Sequence, residues 1–172
     1  MPPLASTENT WGVCVIRKCH PEDEAEILNV INEAAKAYSG AIPEDCYHDP
    51  YMPLNELREE MGEMTIFGHE EAGKLLGVGG YQPIKDVSLV RHLYVLPEHQ
   101  KKGIGANILN HIRNIATGGR LLVGTWEAAT WAIAFYEKHG FRLQENKTEL
   151  LRKYWTIPDR QVKLSVVLAI DL

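Results

Sequence analysis

Long hydrophobic runs are missing from this sequence. No apolar stretch approaches the roughly 20 residues of a membrane span, so no membrane partner is expected. Basic charge is short as well: 18 Lys+Arg stand against 23 Asp+Glu, a formal net charge of −5. A general nucleic-acid binder carries a basic surplus, and no nucleic-acid partner is expected. Cysteine is sparse. Cys14, Cys19 and Cys46 are odd in number and lack CxxC spacing, which argues against a disulfide framework or a structural zinc site and for reduced thiols. The opening MPPLASTENT has neither a basic nor an apolar leader region, so the expected location is cytoplasmic. The seven histidines show no HExxH or clustered spacing, and no metal ligand is expected among them. Cys46 has no His/Asn signature that would make it a nucleophile.

What remains is an ordinary globular composition. The chain has 172 residues, 45% hydrophobic and 24% charged, and a domain of this size buries about 70% of its unfolded surface. Residues 1–10 read as a flexible polar tail, and residues 11–172 as one domain. The β-branched stretch at residues 11–18 predicts a first strand. Ile27, Val30, Ile31, Ala34, Ala35 and Tyr38 recur at helical spacing over residues 21–38. An aromatic, proline-rich loop follows at 39–53, then a short helix at 54–61. Residues 64–70 and 74–84 predict a hairpin. Residues 87–96 are so apolar that they predict a central strand buried on both faces. The stripe Ile104, Ile108, Ile112 and Ile115 predicts an amphipathic helix ended by Gly118 and Gly119. A strand at 120–126, a helix at 128–139 stopped by Gly140, and a helix at 147–154 come next. Alternating Val162, Leu164, Val166, Leu168 and Ile170 predict a final half-buried strand. The result is a mixed α/β layer protein.

One segment carries chemistry. A strand runs into Gln100-Lys101-Lys102-Gly103-Ile104-Gly105, and a helix begins there. Glycines allow close backbone approach, and free N–H groups at a helix start favour phosphate oxygens. The residues alone point to an anion site that would take a diphosphate, or else to a glycine-assisted turn with a solvated lysine pair. GxxxxGK[ST] is absent, and the third glycine of GxGxxG is Ile108 here.

Together with the downstream Ala132–Phe141 stretch (AIAFYEKHGF), this loop and the preceding Leu93-Tyr94-Val95-Leu96-Pro97 resemble the GNAT superfamily of acyl-CoA-dependent N-acetyltransferases. The resemblance covers roughly residues 12–170. It implies a mixed central sheet of about six to seven strands, with a V-shaped splay between the fourth and fifth strands and about four to five flanking helices. It further implies that Leu93, Tyr94 and Val95 pair with the pantetheine arm of acetyl-CoA. The amides of Gln100, Lys101, Lys102, Gly103, Ile104, Gly105 and Ala106 would then hold its pyrophosphate. Ala132 and Phe135 would sit beside the cofactor. The Val95 amide would face the thioester carbonyl, and such a donor is worth about 3 kcal/mol. Tyr136 matches the tyrosine that protonates the departing thiolate; by residue type alone it could equally be core. Ala129 stands where many members carry asparagine, seven residues before that tyrosine.

The same resemblance places acceptor recognition in the 39–53 loop, with Tyr38, Tyr47, Tyr51, Trp126 and Glu127 as binding residues; a self-packed lid is the other reading of that loop. His92, Glu98 and Glu127 are the candidate bases, and none is chosen. The implied activity is acetyl transfer from acetyl-CoA, without metal, to a small amine or amino-acid-like acceptor in a ternary complex. The alternatives are a non-catalytic acyl-CoA-binding module and a protein N-acetyltransferase. A homodimer through an exposed C-terminal strand is also allowed.

Overall fold

A computed structural model describes residues 13–172. The expected tail at 1–10, and the Trp11–Gly12 start of the first predicted strand, lie outside the described residues. In chain order the strands and helices are β1 (Val15–Lys18), α1 (Glu24–Ala35), α2 (Leu54–Met61), β2 (Thr65–Glu71), β3 (Lys74–Ile84), β4 (Val87–Val95), α3 (Ile104–Ile115), β5 (Arg120–Trp126), α4 (Thr130–Lys138), β6 (Arg142–Leu143), α5 (Lys147–Tyr154), α6 (Asp159–Lys163) and β7 (Ser165–Asp171). The strands form one seven-stranded sheet in the order β1-β2-β3-β4-β5-β7-β6. Only β4 and β5 pair in parallel; the other neighbours are antiparallel. No helix among the described residues is long and apolar enough to cross a membrane.

The helices form where the apolar spacing places them. Pro21 opens a 3-10 turn over Pro21–Asp23, and α1 then buries Ile27, Val30, Ile31 and Ala34 against β3 and β4. Helix α3 buries Ile104, Ile108, Leu109 and Ile112. Ile115, the last member of the predicted stripe, is exposed because the helix ends there and overhangs the sheet. Bare glycines let α3 lie close on β3: a Cβ on Gly77 would meet Ile104 Cγ2 at 2.8 Å, and one on Gly79 would meet Ile108 Cγ2 at 2.6 Å. A second core lies under α5 and α6, where Leu150, Leu151, Tyr154 and Val162 meet Leu89, Leu122 and Val167.

Two expectations for the C-terminal segment are corrected. Val162 lies in helix α6 and Leu164 at its end, so the strand begins only at Ser165. Pro158 starts that short helix, whose local bonds take up backbone groups the alternation had assigned to a strand. Strand β7 is also no edge. It sits between β5 and β6, with Val167, Leu168 and Ala169 buried on both faces. The edge-to-edge dimer expected through this strand therefore has no free edge to use over the stretch paired with β6.

The first strand is tied to the turn after it by Arg17. Its guanidinium donates to both carboxylate oxygens of Asp23 at 2.9 Å and to Glu70 on β2 at 2.8 Å. These hydrogen bonds hold the Asp23 carboxyl at about 2. A carboxylate held below its unfolded value contributes stability above about pH 4 and loses it as pH falls through the folded value. Urea denaturation is expected to show Asp23→Asn less stable than the parent chain by about 2 kcal/mol at neutral pH, with the gap closing by about pH 2.

Candidate active site

Strands β4 and β5 pair only where Ser88, Leu89 and Val90 meet Leu121, Leu122 and Val123. Beyond that point they separate: β5 continues to Trp126 on β7 alone, and β4 continues to Val95 on β3 alone. The cause lies in β4. Between Val78↔Tyr94 and Gly80↔Arg91 the register shifts, so two residues of β4, His92 and Leu93, oppose the single Gly79. A bulge of this kind bends its strand and raises its twist. His92 takes φ +48 there, outside the usual range for a residue with a side chain. Burial records the parting: residues 87–90 are buried, whereas Arg91 to Val95 are half-buried. The expectation of a strand buried on both faces to residue 96 is thus corrected over its second half.

The parting opens two cavities that meet between the strands. The one of about 670 Å³ is walled by Leu93, Tyr94 and Val95 of β4 and by Ala132, Phe135 and Tyr136 of α4. Its far end is the turn before α3, where Gln100, Lys101, Gly103, Ile104, Gly105 and Ala106 all line it. Lys102, expected beside them, is exposed and does not line it. Lys101 at φ +62 and Gly103 at φ +84 turn the chain into the helix. The first bond of α3 runs from the Asn107 amide to the Gly103 carbonyl, so the amides of residues 101–106 have no partner among the described residues. Gln100 ties this turn to β4, donating from Nε2 to the Val95 carbonyl at 3.0 Å.

The Val95 amide has a definite direction. Leu96 donates to the Leu76 carbonyl at 2.9 Å, so Gly77↔Val95 is a non-hydrogen-bonded pair of the antiparallel ladder, and Val95 turns its N–H away from β3. That side is the one β5 has left. Tyr136 lines the same cavity, is 5% exposed, and packs edge-on against Phe135 and Phe141. Burial, then the neighbouring Tyr38, pushes its phenol well up, so it holds its proton at neutral pH.

The second cavity, of about 460 Å³, lies on the other side of the junction. Tyr38, Tyr51 and Trp126 line it as expected, with Cys46 and His48 of the loop and Trp155 to Pro158, Arg160 and Gln161 of the C-terminal segment. Trp126 Nε1 donates to the Tyr51 hydroxyl at 2.9 Å, and the Tyr38 and Tyr51 rings lie 5.2 Å apart. Burial pushes the Tyr51 phenol up to about 12. Asp45 and Arg160 form a two-pronged ion pair joining the loop to α6. Tyr47 stacks on Tyr51 from behind and does not line the cavity.

Besides Lys102 and Tyr47, two more expected residues fall outside the cavities. Glu127 is half exposed, lies 3.6 Å from Lys147 Nζ and lines neither cavity, because the strand ends at Trp126 and the chain turns outward. Glu98 sits exposed in the Pro97–His99 turn and lines neither. Ala129 is fully buried in the cluster of Trp126, Tyr38 and Ile42, so the site commonly held by asparagine is packed with apolar groups. Sequence reasoning missed Glu60 and Arg91. Glu60 of α2 contacts His92, and Arg91 donates to Glu60 at 3.0 Å. Only the charge of Glu60 on a short helix and of Arg91 within a largely apolar strand could have signalled them.

A separate trio also escaped the spacing argument. The β1–β2 register sets Cys14 beside His69 and Glu71, with donor atoms within 4.8 Å of one another. The thiol lies 3.2 Å from His69 Nε2 and 3.7 Å from Nδ1. The sulfur therefore rides over the ring face, while Glu71 takes Nε2 at 2.9 Å. His69 thus contacts both other members of the trio.

Known proteins resemble this chain in sequence and in fold. Residues 63–143 match the model of the acetyltransferase (GNAT) domain. The uncharacterized N-acetyltransferase YjcF of Bacillus subtilis (strain 168) is 27% identical over 94 residues, which span 55% of this chain and 65% of that relative's length. Among solved structures, PaiA N-acetyltransferase from Thermoplasma acidophilum in complex with coenzyme A superposes with a TM-score of 0.71 at 18% identity, covering 93% of this chain and 99% of that one. The ribosomal-protein-S18-alanine N-acetyltransferase from Escherichia coli superposes with a TM-score of 0.59 at 16% identity, covering 92% and 94%. At such identities the structural likeness speaks for the fold.

Proposed function

We propose that this chain, a GNAT-superfamily protein by its domain and its fold, transfers an acetyl group from acetyl-CoA directly to a primary amine of a small-molecule acceptor. The observation that carries the reading is the junction of the two cavities between the parted β4 and β5. One opens on a row of unpartnered amides, and the other on an aromatic basin. The residues fit the donor. Six successive free amides at the start of α3 suit a diphosphate, and the open β4 edge at Val95 suits an extended amide-bearing arm. When bound, acetyl-CoA supplies an activated acyl carbonyl on sulfur.

The chain's own groups then have definite tasks. The Val95 N–H, turned into the parting, donates to the carbonyl oxygen as charge builds there. Tyr136 holds its proton until the sulfur departs and then delivers it. The ring walls of Tyr38, Tyr51 and Trp126 exclude water and leave room for a small acceptor.

Calorimetric titration with acetyl-CoA and with free CoA is the direct test. Binding of both in the micromolar range, about −8 kcal/mol, followed by CoA release with members of a primary-amine panel, is the expected result. Absence of binding by the folded protein overturns the reading. Binding without turnover on any amine leaves a non-catalytic acyl-CoA-binding module.

A further inference from the structure

We infer that His92 is the general base that deprotonates the amine acceptor, and that Glu60 of α2 positions it. The inference rests on the transferase reading and supplies the residue that reading lacks. The residues lining both cavities are Tyr38, Val90, His92, Tyr94, Gly124 and Thr125. Of these only the two tyrosines and the histidine titrate. Burial pushes both phenols up, so neither accepts a proton near neutrality. Imidazole is the side chain whose ordinary range spans neutral pH. His92 thus stands alone at the junction where donor and acceptor must meet.

The backbone places it there by an uncommon conformation. A non-glycine residue at positive φ is strained and persists only where its surroundings hold it. The holding contacts are visible. His92 Nε2 lies against Glu60 Oε2, both atoms buried and with no other hydrogen-bond partner among the described residues, the two side chains being 17% and 16% exposed. Arg91 Nη2 donates to the other Glu60 oxygen at 3.0 Å, and Arg91 Nη1 donates to Gln82 at 3.1 Å. The His92 ring stacks on Tyr94 with centroids 6.4 Å apart. The charged and titratable groups facing it are Glu56 and Glu60 from α2, Arg91 and Tyr94 from its own strand, and Tyr38 beyond Tyr94.

Burial works to raise the Glu60 carboxyl, but the hydrogen bond and charge of His92, with Arg91 beside them, outweigh it, and Glu60 stays ionised. A carboxylate set against Nε2 favours the tautomer that carries its proton there, which leaves Nδ1 as the lone-pair nitrogen. The protons balance as follows. His92 takes one proton from the acceptor ammonium. The freed nitrogen forms the bond to the acyl carbon as the carbon–sulfur bond breaks. Tyr136 gives its proton to sulfur and is refilled by the second proton the nitrogen loses. His92 returns its proton to solvent, so one proton leaves per turnover.

The experiment measures kcat and KM against pH for the parent chain, His92→Gln, Glu60→Gln and the double variant, on an amine the parent chain acetylates. Acetyl-CoA titration of each variant controls for folding. His92→Gln is expected to lower kcat by about 10²–10⁴-fold and to remove the acid limb of the profile, with acetyl-CoA binding retained. Glu60→Gln should lower kcat less, and the double variant should be no worse than His92→Gln alone, since Glu60 acts through the imidazole. His92→Gly, which suits the positive φ and stays folded, should regain turnover when free imidazole is added. Parent-like kcat and an unchanged acid limb in His92→Gln overturn the base and leave the transferase reading standing. A parent chain that acetylates no amine overturns that reading and the base with it.

Discussion

Tyr136→Phe is expected to lower kcat for acetyl transfer by about 10²–10⁴-fold while leaving CoA affinity and thermal stability close to those of the parent chain. The separation of effects follows from where the ring and the hydroxyl sit. The ring is buried and packs at 5.2 Å from Phe135 and 5.5 Å from Phe141, and phenylalanine keeps that packing. The hydroxyl makes no hydrogen bond to a described side chain or carbonyl, and the residue lines the larger cavity. Removing it therefore orphans no partner, the condition under which loss of a polar group is nearly neutral for stability. What is lost is a proton held ready by burial. Steady-state CoA release at saturating donor, paired with calorimetric CoA titration, reads the two effects separately. Parent-like kcat in the variant would return Tyr136 to a packing role alone.

Gly105→Val should weaken CoA binding at least about 100-fold in a chain that still folds. Gly105 is in the first turn of α3, and a Cβ built on it lies 3.5 Å from Phe135 Cζ and 3.6 Å from Val95 Cγ2, ordinary contacts that need no backbone shift. Valine is also no worse a helix former than glycine. Its methyl groups, however, occupy the space between β4 and α4 in front of the free amides. Affinity for CoA and acetyl-CoA is expected to fall about 100-fold or more, roughly 2.7 kcal/mol. Gly103→Val is the poorer probe. At φ +84 a β-branched side chain strains the turn itself, although a Cβ there meets nothing within 4 Å. Calorimetry with a circular-dichroism melt distinguishes a blocked site from a lost fold. Undiminished CoA binding by folded Gly105→Val would mean that the diphosphate is held elsewhere.

Much of the fold was legible because its signals are local. The isoleucine spacing of α3, the proline before α1 and the hairpin of β2 and β3 are set by neighbours within a few residues. The glycine turn before α3 was legible for the same reason, whereas Tyr136 on α4 was singled out only by the family resemblance. The errors cluster where the chain answers to distant partners. Ile115 fits the stripe but overhangs the sheet, and residues 162–164 alternate like a strand yet close a helical turn. Glu127 follows a cleft strand in sequence but turns out of the cleft in space.

From the sequence alone came the order of elements, the glycine turn before α3 and the position of the aromatic, proline-rich loop after α1. Periodicity and glycine placement act on backbone dihedrals a few residues at a time, so a single chain read in one dimension carries them. The tertiary structure alone decided that β4 bulges at His92, that β5 leaves it after Val123, and that β7 is enclosed by β6. It also decided that Glu60 reaches back to His92. A histidine at positive φ is unfavourable locally and is chosen only when the pairing of a whole sheet and the contact of its ring with Glu60 outweigh that local cost.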